Sequence, residues 1–195
     1  LVFNLPSGIQ REGSVFRTGR LEDGTLRGDA GLLFSAAQDV HIRPDMPNDI
    51  VLNSVCVTKE IVFRAVSDTP LASASVEFEA AGCIDLEYHR FFEPTKLKIP
   101  MKPDGNGAWN GSARILGTCA ESLDISLSLM SEDGGTSGFL LSLPLSSVGY
   151  NNGMPRSLDI EFRHSEGKCA ARLLMPSGNW QILLEKITIN ENTNC

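Results

Sequence analysis

The sequence predicts an all-β fold, an antiparallel β-sandwich, and three observations predict it. Short runs alternate apolar and polar residues with a period of two, which puts one set of side chains on each face of a strand. The clearest is the run at 122–130, where Leu123, Ile125, Leu127 and Leu129 alternate with polar neighbours. Gly, Pro, Asn and Asp fall between the runs, where turns need them. No amphipathic helical pattern of ten residues or more occurs, which argues against alternating strand–helix folds.

Residues 1–49 form a loop-rich segment. Leu1, Phe3 and Leu5 alternate and predict a short strand closed by Pro6 and Gly8. A Gly-punctuated, charged stretch follows, with Val15-Phe16 as its apolar anchor. Arg27-Gly28-Asp29 spells a tripeptide known for integrin binding, and it equally spells a charged turn built on Gly28. Residues 32–43 read either as a broken strand or as a short helix.

From residue 50 the strand signal strengthens. Val55 and Val57, then Ile61 and Phe63, alternate. Val76 and Phe78 alternate with Glu77 and Glu79, giving one dry and one wet face. Ala81-Gly82 predicts a turn, after which 83–88 alternates again, and 91–94 predicts a corner. Pro100 marks the run at 96–101 as an edge strand or a bulge. Residues 102–111 hold Asp-Gly once and Asn-Gly twice, the pairs that favour tight turns. Phe139 to Leu145 and Leu158 to Phe162 alternate in turn. Residues 168–190 predict a closing hairpin, with Cys169, Ala171 and Leu173 on one arm and Trp180, Ile182 and Leu184 on the other. The whole reads as one domain over 1–195; the alternative is two small β-domains divided near 102–108.

Composition narrows function. Hydrophobic residues make up 42% and charged residues 21%, enough to build a packed core. A net charge of −7 with no basic cluster argues against nucleic acid, which needs a basic face. No apolar run is long enough for a membrane-spanning helix, so no membrane insertion is expected. The five cysteines, Cys56, Cys83, Cys119, Cys169 and Cys195, are spaced too widely for a zinc ribbon or a Cys-x-x-Cys redox pair. Their spacing suits bridges between strands in an oxidising compartment. The chain begins at Leu1 without Met or a basic-then-apolar leader. Together these predict an exported, extracellular protein.

No cofactor motif is present, and the three histidines are far apart in sequence. Glu77, Glu79, Asp85 and Glu87 make a carboxylate-lined face that a hydrolase or a calcium site could use, or that water simply solvates. Trp109, with Asn106 and Asn110 beside it in the turn-dense stretch, is the best candidate for a carbohydrate contact, because rings presented on turns stack on sugars. The alternative is a Trp folded back on the core.

The C-terminal third resembles fimbrial subunits of the chaperone–usher class. The likeness rests on the cysteine-led run Lys168-Cys169-Ala170, the turn Pro176, Gly178, Trp180, and the closing run 186–190. The chain departs from that pattern in ending on Cys195 and lacking a penultimate aromatic. The resemblance implies an immunoglobulin-like fold short of one strand, completed by a strand from a neighbour. Leu1, Phe3 and Leu5 would then be a donor strand rather than an ordinary first strand. The reading is a non-enzymatic sandwich, immunoglobulin-like or jelly-roll-like, that assembles with other protein subunits or adheres to a host glycan or receptor at a cell or virion surface. The carbohydrate module and the hydrolase stand as alternatives.

Overall fold

The alternating runs become strands, and the turn signals at 67–70, 102–108, 132–135 and 165–167 fall between them as turns. A computed structural model describes residues 2–37, 43–45, 47, 50–148 and 157–174, and the backbone of 180–184. Among these residues the only helix is a turn of 3-10 helix at Leu145–Val148.

In chain order the strands are β1 (Val2–Phe3), β2 (Ile9–Glu12), β3 (Val15–Thr18), β4 (Phe34–Ala36) and β5 (Val55–Cys56). Then come β6 (Lys59–Ser67), β7 (Leu71–Asp85), β8 (Arg90–Pro100), β9 (Lys102–Pro103) and β10 (Ala108–Ile115). The series ends with β11 (Ser122–Ser131), β12 (Thr136–Pro144), β13 (Ser157–Ser165), β14 (Lys168–Leu174) and β15 (Trp180–Leu184).

Two large sheets pack face to face. The first has the order β15-β14-β13-β6-β10-β9. The second runs β12-β11-β7-β3-β2, with β8 along the other side of β7. A small third sheet, β1-β4-β5, sits apart. Pairing is antiparallel except between β6 and β13, which are parallel over eight residues. A hairpin cannot join parallel strands. The chain between β6 and β13 builds β7, β8, β11 and β12 of the second sheet and β9 and β10 of the first, and that long crossover is what the purely antiparallel expectation missed.

The predicted alternation fills the space between the sheets. Ile61 and Phe63 of β6, with Ile160 and Phe162 of β13, face Val76 and Phe78 of β7 and Ile125 and Leu127 of β11. The Phe63 ring lies 5.8 Å from Phe78 and 6.5 Å from Phe162, so three rings tie the two sheets together. A second, smaller cluster gathers Phe16, Leu33, Ile84, Leu86 and Leu116, with the Phe3 ring edge-on to Phe16 at 4.9 Å.

Two local expectations fail. There is no turn at Ala81-Gly82 and no corner at 91–94: β7 runs unbroken through 15 residues and β8 through 11. Residues 80–84 are buried on both faces, so the small side chains Ala80, Ala81 and Gly82 fill tight space rather than marking a bend. Glu93 takes the strain instead, at φ 57 inside β8. Of the two readings offered for 32–43, residues 34–36 follow the strand. The stretch at 102–108 is a hairpin turn joining β9 to β10 within one sheet, tied by the Asp104 carboxylate accepting from the Asn106 and Ala108 N–H groups.

Candidate functional site

Trp109 does not stand on a turn. It lies inside β10, opposite Ala65 of β6, half-buried and packed against the main core. Asn110, one step on, faces outward opposite Arg64, while Asn106 is exposed in the turn. The structure therefore splits the predicted sugar-binding trio among the inner face, the outer face and a turn.

The carboxylate face disperses as well. Because β7 is continuous, Asp85 lies eight residues along the same strand from Glu77, roughly 26 Å away at strand spacing. Glu77 pairs with Lys96 at 3.0 Å, and Glu79 stands opposite Lys96 in the β8 register. Asp85 caps the tip of the hairpin, accepting from the Glu87 N–H at 2.9 Å. Among the described residues no group of three or more His, Cys, Asp or Glu is placed to hold a metal. The Arg27 and Asp29 side chains of the tripeptide turn pair with each other at 3.3 Å, the opposite of an extended, partner-ready display.

The disulfide expectation is overturned for the described cysteines: Cys56, Cys83, Cys119 and Cys169 are all free thiols. Each has separate surroundings. Cys169 sits in the main core of the first sheet, where burial pushes its thiol up to about 12. Cys83 lies on β7 of the second sheet, and its sulfur accepts from Arg17 at 3.0 Å. Burial, then Glu93, push its thiol up to about 11, so neither is a thiolate at neutral pH. Cys56 contacts Thr58, and Cys119 is on an exposed loop. Cys195 lies outside the described residues, as do Leu1 and the Pro176–Gly178 turn.

Two features do concentrate chemistry. One is the seam where β8, an edge of the second sheet, meets β10 of the first. Residues 26–30 bridge part of it. Leu26 N–H donates to the Lys96 carbonyl on β8, and Arg114 N–H on β10 donates to the Gly28 carbonyl. Gly28, at φ 71, is required there, because a Cβ would lie 3.1 Å from Leu97 and 3.3 Å from Ala113. Beyond this strap the seam opens into a groove of about 410 Å³ lined by Leu97, Ile99, Gly111 and Ala113. At Gly111 a Cβ would come 3.0 Å from the Ile99 side chain, so that side chain packs down onto the β10 backbone.

The other is the outward face of the first sheet. Register places Arg64 of β6, Glu161 of β13 and Arg172 of β14 in one cross-strand row. Glu161 is only 1% exposed, yet it faces away from the core. It accepts from Arg64 at 3.1 Å, from Arg163 Nε at 2.6 Å and from Arg172 at 2.6 Å. Burial alone would raise its pKa. The Arg163 hydrogen bond and the Arg172 and Arg163 charges outweigh burial and hold the carboxyl below its usual range. Sequence reasoning missed this cluster. Its signal was present in the charged residues one step out of phase with the core positions of three strands.

The N-terminal candidates divide. Phe3 belongs to β1, pairs with β4 and packs on Phe16; Leu5 is 52% exposed.

No family model matches the chain, and no curated protein matches it significantly. Solved structures do. The fimbrial anchor protein Mfa2 of Porphyromonas gingivalis superposes with a TM-score of 0.55 at 14% identity, over 96% of this chain and 73% of that one. One candidate adhesin of Bacteroides ovatus gives a TM-score of 0.52 at 7% identity, over 97% and 72%. Another from that species gives 0.50 at 11%, over 80% and 68%. These likenesses establish a shared fold across most of the chain, rather than a resemblance confined to its C-terminal third.

Proposed function

We propose that this chain is a non-enzymatic, exported subunit that works by protein–protein assembly or adhesion at a cell surface. The observation that carries the reading is the unclosed seam. A groove bounded by two strand edges offers backbone donors and acceptors together with apolar slots, which is what strand addition from a partner requires. The printed roles of the neighbours, a fimbrial anchor and candidate adhesins, agree with it. With the four described thiols free, those cysteines do not support export; the fold likeness does.

In its finer form the proposal is strand exchange on an immunoglobulin-like scaffold, with residues 1–5 as the donor. β1 spans two residues and pairs with β4 at two positions, so little backbone bonding holds it in place. The single-domain reading belongs to this proposal, since a strand added at the seam would bond to both sheets at once. Hydrogen exchange with and without a synthetic peptide of residues 1–9 tests it. Protection gained at 97–100 and 111–113 is the expected result. Peptide binding without protection at those edges, or no binding at millimolar peptide, overturns strand exchange there.

A further inference from the structure

We propose that the free edge of β12 pairs with the same edge of a second copy of this chain, joining two second sheets across a twofold axis at Leu140. This surface is separate from the seam and from residues 1–5. β12 ends the second sheet, and β11 holds it in unbroken register over nine residue pairs. Among the described residues no strand lies along the other edge of 137–143. In an antiparallel ladder alternate residues turn their N–H and C=O groups away from the paired neighbour. Those groups form a template for another strand.

Sheets usually guard such an edge with shortness, charge, Lys or Pro. β2, at the other end of the same sheet, is four residues long and carries Arg11 and Glu12. β9, at one end of the first sheet, is two residues, Lys102 and Pro103. β8, along the seam, carries Pro94, Lys96, Lys98 and Pro100. β12 is nine residues long and has none of these before Pro144 at its end. No bulge interrupts it.

Two observations select a second copy as the occupant. The first is charge. The chain carries −7, so two copies repel each other across most approaches. No charged residue lies between Asp133 and Arg156, the longest such stretch in the chain, and β12 lies within it. Acidic groups stand only beside the edge: Asp124 on β11, bonded to the Ser142 hydroxyl, with Glu121 at one end and Glu132 and Asp133 in the turn at the other. The second is self-complementarity. A twofold axis at Leu140 sets Phe139 opposite the other copy's Leu141 on the inner face, so the two main cores run together. On the outer face Leu140, 58% exposed, meets its own counterpart. Ser142 meets Gly138, beside which the space is open. Pairing of this kind uses both free edges at once and closes at two copies. One strand pairing is small beside the ~1,600 Å² of a standard interface, so an affinity in about the micromolar range is expected.

The test is sedimentation velocity on the full chain across that range, with hydrogen exchange at low and high concentration. Wild type should dimerise as concentration rises, gain protection at 137–143, and associate more tightly in added salt, which screens the acidic copies from each other. Leu140→Lys lowers the net negative charge yet places two like charges face to face, and it should weaken the dimer by at least about tenfold. The exposed position should leave folding intact, which thermal unfolding checks. Leu140→Glu should be weakened likewise, and an equal mixture of L140K and L140E should recover the dimer, because the twofold then brings opposite charges together. A wild type that stays monomeric throughout overturns the proposal and leaves the edge to a foreign strand. Unchanged dimerisation in folded L140K, protection gained away from 137–143, or a mixture no tighter than either variant alone overturns it as well.

Discussion

The two hydrophobic clusters of this protein are built differently, and the contrast explains where it is firm and where it can yield. The main cluster lies between two sheets whose strands each contribute alternate residues, so most of its apolar side chains are held in register by a ladder. The cluster around Phe16 is assembled from short strands and loops, and β3 meets β7 over only three residue pairs. Beside it, Leu5, Leu32, Val51 and Val55 stay exposed. Stability is rarely uniform, and thin pairing with open apolar surface marks the low end. A region that must release a strand, as β1 would, is best placed there.

The largest effects should come from asking whether the two clusters unfold together. Phe63→Ala removes the ring that bridges the sheets and should cost about 3–5 kcal/mol, with protection lost throughout β6, β7 and β13. Phe16→Ala empties a site as deeply buried, yet it should release β1 to β4 while protection in β6 and β13 persists. Hydrogen exchange by mass spectrometry separates the outcomes. If Phe16→Ala unfolds the whole chain, the clusters form one cooperative unit and the contrast fails.

Glu161→Gln comes next. It strips the counter-charge from three guanidinium groups, and breaking such a buried pair costs several kcal/mol when all partners are dry. The arginines here are partly wet, so about 2–3 kcal/mol is expected by urea denaturation. Gly28→Ala should be milder, about 1–2 kcal/mol, from φ 71 and the approach to Leu97 and Ala113. Its effect should fall on the strap between the sheets. Protection lost at Lys96 and Arg114, with β13 unmoved, would place the strap with the yielding region.

The same contrast decides what could be read without coordinates. Main-core residues such as Ile125, Leu127, Phe139 and Ile160 announce themselves, because strict alternation has one physical cause, a sheet with one wet face. The cluster around Phe16 carries no period, since its members come from turns and strand ends far apart in sequence. Ala80 to Cys83 mislead for the opposite reason: a stretch buried on both faces loses its alternation, and Gly82 then resembles a turn. Trp109 resembles a loop residue in sequence because Asn-Gly pairs surround it, but its strand pairs with β6. The Arg64–Glu161–Arg172 row depends on strand order, and the parallel β6–β13 neighbour relation lies nearly a hundred residues apart in sequence. Free thiols could not be told from bridged ones by spacing, because bridging needs two sulfurs on facing positions.

The smallest expected effect concerns pH, and it again tells the regions apart. His164 ends β13 with Nδ1 2.9 Å from the Ser67 hydroxyl, its ring beside Phe139, and Nε2 buried without a partner among the described residues. Burial lowers its pKa from the ordinary value near 6.5, and Asp68 opposes that only in part. The folded state therefore prefers the neutral ring. Above about pH 6.5 both states are neutral and the stability is whole. As pH falls below that value the unfolded chain takes up the proton first, and stability is lost until the folded pKa is reached. Beside the Phe16 cluster the titrating group is Glu93, held below the usual carboxylate range by its hydrogen bond from Arg17, with Cys83 adding to it. Its contribution is present above the ordinary Glu value near 4.3 and is lost only as pH drops below it. Between pH 7 and 5, then, Tm should fall by roughly a few degrees, and opening should become easier in β13 and β14 but not in β2 and β3. His164→Phe should flatten that slope, whereas Ser67→Ala should keep it. A slope that survives in His164→Phe, or a parallel loss of protection in β2 and β3, would mean that the acid response belongs to the whole molecule.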